Sequence, residues 1–282
     1  MTRPHPPMPR MTLSLAIGVA LTLSVVSAGP VFGSATPPPP PSTTTPSAPS
    51  QGTVEQYLRD FINKDRAARG LRPLRLDARL QSVARERAAA LADLGILSHS
   101  AAGDITSELA GAGVQWYSWG EDLGWSSYTW GSNVAKSLYS MWKQSPSHYA
   151  LMMSPGYNYF AVGVGYRWSG HSTYASILFS DSADHTRPVP AMTGLSRSGT
   201  TIGFTWRGAD IPLQRRTSGL RSFDVEYRQD GGAWSVIRTG TTATSITLTG
   251  RPHGHYYWVA VRARDRAGNV SAWTSPLHVW VP

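Results

Sequence analysis

Tyr159-Phe160-Ala161-Val162-Gly163-Val164-Gly165-Tyr166-Arg167-Trp168 and Thr173-Tyr174-Ala175-Ser176-Ile177-Leu178-Phe179-Ser180 are two apolar, strand-like runs. The chain before them has helical periodicity. Thr53-x-x-Gln56 reads as a capping box, and Val54, Tyr57, Leu58, Phe61 and Ile62 follow at i, i+3, i+4, i+7 and i+8, with Gly70 as the stop. Asp77 is the expected N-cap of a second helix carrying Leu80, Ala84, Ala88 and Leu91 on one face and ending near Gly95. Ser132 to Lys143 reads as a third, with Val134, Leu138, Met141 and Trp142 apolar. Helices followed by strands in one unit predict an α/β or α+β layered domain over 51–187.

From about Pro190 the period becomes two. Ile202, Phe204 and Trp206 alternate with small or polar residues, as do Phe223, Val225 and Tyr227, then Tyr257, Val259, Val261 and Ala263. Asp230-Gly231-Gly232 is a hairpin signal before 233–238. About seven short strands over 190–282 predict an antiparallel β-sandwich.

The 282 residues hold no cysteine, which excludes disulfides and Cys-based metal or nucleophile chemistry. Arg3 and Arg10 precede an uncharged run, Thr12 to Val26, and Val26-Ser27-Ala28 resembles a cleavage site. Residues 1–28 are therefore expected to be a signal peptide, with cleavage and retention as an anchor both open. No later segment is apolar enough to span a bilayer, so a secreted, extracellular protein is expected, either free or associated with the cell envelope. Residues 29–50 are expected to be a linker: five consecutive prolines at 37–41 begin a Pro/Ser/Thr-rich stretch suited to an extended polyproline II spacer. The +9 net charge lies mostly toward the C-terminus: residues 51–187 hold 13 Lys+Arg against 12 Asp+Glu, and 190–282 hold 11 against 5. Such a surface suits anionic envelope polymers, a polysaccharide or lipid headgroups. The arginines are scattered rather than striped, which argues against nucleic acid.

His99 and His148, with Glu121 between them in sequence, each stand beside a predicted helix end. Two imidazoles and a carboxylate can hold Zn2+ or another divalent cation and leave a position open for water.

Several motifs, in order, resemble the CAP superfamily of cysteine-rich secretory, antigen 5 and pathogenesis-related proteins, in its cysteine-free bacterial branch. They are Asn63-x-x-Arg66-x-x-x-Gly70-Leu71-x-Pro73-Leu74, Leu80-x-x-x-Ala84, His99-Ser100, Gly120-Glu121-Asp122, Trp142-x-x-Ser145-Pro146-x-His148 and Ala161-Val162-Gly163-Val164-Gly165. The resemblance implies a three-layer α-β-α sandwich with a cleft lined by His99, Glu121 and His148. Two departures touch that cleft: Ser145 stands where the fuller pattern has a second glutamate, and Asp122 replaces the usual asparagine beside Glu121. The run Arg262-Ala263-Arg264-Asp265-x-Ala267-Gly268-Asn269-x-Ser271-x-Trp273 resembles a fibronectin type III domain, which implies Trp206 and Tyr257 in its core and a spacer or adhesive role.

Three functions follow. The favoured one is a non-catalytic binding module with a His/Glu cleft for a cation or an envelope ligand. The second is a metal-dependent peptidase or cell-wall hydrolase, weakened by Ser145 in place of a candidate base. The third is an adhesive protein with a vestigial cleft. Trp116, Tyr117, Trp119, Trp125, Tyr128 and Trp130 are expected in a loop flanking Glu121, and His171, His185, His253 and His255 in exposed loops.

Overall fold

A computed structural model describes residues 50–128 and 131–282, all within one compact unit. The expected signal peptide, nearly all of the expected linker and Trp130 lie outside the described residues.

The first part runs α1 (Gln51–Ala68), β1 (Arg75–Leu76), α2 (Ala78–Leu94), α3 (Ile105–Gly111), β2 (Ser118–Ser126), α4 (Ser132–Gln144), α5 (Pro146–Met152), β3 (Tyr159–Arg167) and β4 (Ser172–Asp181). Its sheet has the order β1-β3-β4-β2, so β2 is an edge strand, antiparallel to β4. One face packs on α1, α4 and α5 through Phe160, Val162, Val164, Ala175, Ile177 and Phe179. The other packs on α2 and α3 through Tyr159, Ala161 and Leu178. This is an α-β-α sandwich.

The sequence motifs have visible work in it. Asn63 clasps Leu74, donating to its carbonyl at 3.1 Å and accepting from its N–H at 2.9 Å. Arg66, fully buried, donates to the carbonyls of Arg72, Met152 and Ser154, tying the end of α1 to the end of α5. Gly163 and Gly165 let α2 lie directly on β3: a Cβ at Gly163 would stand 2.1 Å from the Ala84 carbonyl oxygen, and one at Gly165 2.3 Å from that of Ala88. Asp77 caps α2 by accepting from the Arg79 N–H, and Gly95 ends it in the left-handed conformation at φ 71°. The capping box at Thr53 does not start α1. The helix begins two residues earlier, at Gln51, and the Gln56 amide turns along the helix to Asp60 instead.

The remaining strands are β5 (Val189–Ser198), β6 (Thr201–Ala209), β7 (Leu220–Gln229), β8 (Ser235–Thr241), β9 (Ser245–Leu248), β10 (His255–Asp265) and β11 (Leu277–Val281). They form two antiparallel sheets, β5-β6-β9 and β11-β10-β7-β8, around a core that includes Phe204, Trp206, Val225, Tyr257, Val259 and Val261. The three-plus-four arrangement is a fibronectin type III-like sandwich.

The β6–β7 loop does more than connect strands. Leu213 is buried in the core between the first sheet and α2. Arg216 makes a two-point bridge to Asp181 at 2.8 and 2.9 Å and stacks over Tyr117, while Gln214 accepts from the Arg72 N–H. The sandwich and the α/β unit therefore share buried surface.

Candidate functional site

Glu121 and Asp122 are neighbours on β2, and successive strand residues face opposite ways. Glu121 points to the α2 face, with Leu123. Asp122 is buried on the opposite face, alongside Gly120, which approaches Leu151, and Gly124, which approaches Trp142. The structure thus separates Asp122 from the carboxylate beside it in sequence. One of its oxygens, Oδ2, has no partner, and burial, followed by the charge of Glu121, pushes its carboxyl up to about 8.

The Glu121 carboxylate is fully engaged. Oε1 accepts from Arg87 Nε at 2.6 Å and Ser176 Oγ at 2.9 Å. Oε2 accepts from Arg87 Nη2 at 3.1 Å and lies 2.8 Å from His99 Nδ1. Because an ionised carboxylate only accepts, Nδ1 carries the proton in this pair. His99 Nε2, on a side chain 63% exposed, has no hydrogen-bond partner among the described residues. Arg87, 1% exposed, also donates to Glu108 Oε2 at 2.7 Å and the His99 carbonyl at 2.7 Å. One buried guanidinium from α2 thereby holds β2, α3 and the loop that carries His99.

His148 arrives from α5, in the other helical layer. It is half-buried, and its Nδ1 is buried without a hydrogen-bond partner. Burial, then the charge of nearby His99, lowers its pKa, so the neutral imidazole is favoured. Ser145 is the N-cap of α5, with its Oγ 3.2 Å from Ser147 Oγ, and makes no side-chain cap bond. Ser145-Pro146 both ends α4 and starts α5, since proline suits the first helical turn.

Among the described residues, His99, Glu121 and His148 do not bring three ligand atoms within 4.8 Å of one another. The group that does is Asp184, Asp210 and Asp265, in the 181–188 segment, at the end of β6 and at the end of β10. Their oxygens accept backbone N–H groups already: Asp184 from Thr186 and Ser218, Asp210 from Gly219, Asp265 from Asn269. The expected three-ligand metal set therefore does not fit the geometry around Glu121, whose lone pairs are spent on Arg87, Ser176 and His99.

Of the aromatic segment, Trp119 and Trp125 lie on strand β2, while Trp116, Tyr117 and Tyr128 lie in the irregular segments flanking it. Trp116 and Trp119 pack against the α2-side core, while Trp125, Tyr117 and Tyr128 are exposed. Trp125 shares the face of Glu121, four residues further along the strand. His185 is not a free loop residue: it stacks on Tyr159 with ring centroids 3.8 Å apart and contacts Asp77 at 3.0 Å. Burial opposes it, but hydrogen bonds from His185 and Arg79 hold Asp77 at about 2. His255 lies on β10, 2.7 Å from Asp230. The residue that sequence reasoning missed is Arg87; its place one turn beyond Ala84, on the buried face of α2, was the available signal.

Residues 59–179 match the model of the cysteine-rich secretory protein family, CAP. This stretch is a CAP domain, and a fibronectin type III-like sandwich follows it. A solved extracellular protein of Bacillus anthracis containing an SCP domain is 19% identical, with TM-score 0.38, covering 51% of this chain and 45% of that one. A Fn3-like protein of Clostridium thermocellum is 26% identical, with TM-score 0.25, covering 34% of this chain and 96% of that one. Exoglucanase B of Cellulomonas fimi is 36% identical over 136 residues, 46% of this chain; the match spans only 12% of that enzyme. No helix among the described residues is long and apolar enough to cross a membrane.

Proposed function

We propose that the protein is an exported, non-catalytic binding module whose His99–His148 site takes a hydroxyl-rich envelope polysaccharide. The observation that carries this reading is the pair of ring nitrogens without partners among the described residues, His148 Nδ1, buried, and His99 Nε2, on an exposed side chain. A buried polar atom without a partner costs free energy until a ligand supplies one. The hydroxyls of a sugar, both donors and acceptors, meet that need. The exposed Trp125, on the same strand face, offers a ring for stacking on a pyranose. The fixed charges at the site, Arg87 against Glu121 and Glu108, leave one net negative charge, which disfavours an anionic group there. The excess of arginine in 190–282 gives an anionic envelope polymer a separate electrostatic attraction.

Binding is favoured over hydrolysis because Glu121 has no free lone pair with which to take a proton from water, and Asp122 faces the other layer. Co-sedimentation of the full chain with insoluble cell-wall polysaccharide tests the proposal. The wild type should pellet, and H99A, H148A and W125A should each reduce the bound fraction. Equal pelleting of all four would refute it.

A further inference from the structure

We infer that Arg87 is the resident cation of this site, a buried guanidinium that takes the place a divalent metal would need beside Glu121. The inference concerns metal occupancy alone and does not rest on the polysaccharide reading.

A carboxylate offers about four lone-pair directions. Here four donors use them: Arg87 Nε and Ser176 Oγ on one oxygen, Arg87 Nη2 and His99 Nδ1 on the other. A zinc–oxygen bond of roughly 2.0–2.2 Å would have to displace at least one of them. Displacing the guanidinium would strand a buried positive charge next to a dication, with no route to solvent for a side chain 1% exposed. Displacing His99 would remove one of the imidazoles the metal needs. The same guanidinium holds Glu108 and the His99 carbonyl, so the loop bearing His99 is ordered by α2 with no metal required. Arg87 is in this sense a positioning residue: it fixes Glu121, and through Glu121 the tautomer and orientation of His99.

The converse is as definite. Without the guanidinium, Glu121 would regain two lone-pair directions next to His99, and the site would become a carboxylate–imidazole pair open to a divalent cation.

Zinc titration calorimetry and thermal melts of the full chain test this, using wild type, E121Q, R87M and R87M/H99A. Wild type and E121Q should give the same zinc heat with no micromolar site, and the wild-type Tm should be the same in zinc and in EDTA. Folded R87M should gain a zinc-dependent rise in Tm that R87M/H99A lacks. A stoichiometric zinc site in the wild type that E121Q abolishes would overturn the inference. So would a folded R87M with no response to zinc. Should R87M fail to fold, the comparison of wild type with E121Q decides.

Discussion

Asp122→Asn should stabilise the protein at neutral pH, and by an amount the structure allows to be worked out. Asp122 is 2% exposed, its Oδ2 is unpartnered, and burial beside Glu121 pushes its carboxyl from 3.8 up to about 8. The folded chain thus binds this proton more tightly than the unfolded chain. The group costs nothing below 3.8, destabilises progressively as pH rises, and reaches its full penalty above about 8. At pH 7 the difference amounts to about 4 kcal/mol, at 1.36 kcal/mol per pKa unit. An asparagine keeps the shape and never ionises, but it buries an amide with incomplete hydrogen bonding, which returns roughly 1–2 kcal/mol. The expected net gain is about 2–3 kcal/mol, or roughly 4–12 °C in Tm for a chain of this size. Urea denaturation of wild type and D122N from pH 5 to pH 8 is the assay. The wild type should lose roughly 3 kcal/mol between pH 5 and pH 7 that the variant keeps. Parallel pH profiles, or a variant less stable than wild type at pH 7, would refute the reasoning.

Other perturbations probe the packing. Leu213→Ala should lower stability by about 2–5 kcal/mol and be visible in the helical signal at 222 nm, although the residue lies in the β6–β7 loop; loss confined to the β-sandwich signal would contradict the shared core. The wild type should accordingly melt with coincident transitions by circular dichroism and tryptophan fluorescence. Gly163→Ala puts a Cβ about 2.1 Å from the Ala84 carbonyl oxygen, backbone that cannot step aside, and should abolish soluble expression or cost more than about 3 kcal/mol. A soluble variant with a wild-type Tm would show that α2 does not rest on β3 there.

The fold was largely legible because its main elements announce themselves by period. The α2 stripe of Leu80, Ala84, Ala88 and Leu91 and the paired runs forming β3 and β4 come from burial patterns that any layered domain must have. Short elements were missed for a physical reason. The two-residue β1 and seven-residue α3 and α5 contain too few turns or pleats to carry a period, and α5 was hidden behind a Ser-Pro that also ends α4. Strand β2 reads as a loop in the sequence because Gly120 and Gly124 interrupt it; those glycines instead make room for Leu151, Tyr157 and Trp142. At the site, His99 and Glu121 lie 2.8 Å apart, but no local pattern reports that an arginine 34 residues upstream takes two of the glutamate's four lone-pair directions. Nor could sequence spacing reveal that the second sandwich lends Leu213 to the core of the first unit.

The most direct test of a metal-independent binding site is calorimetric titration of the full chain with solubilised envelope polysaccharide in the presence of EDTA, for wild type and H148A. The account predicts binding that EDTA leaves unchanged and that H148A weakens at least about tenfold, the ~1.4 kcal/mol of one hydrogen bond. Binding abolished by EDTA, or equal in the two proteins, would contradict it.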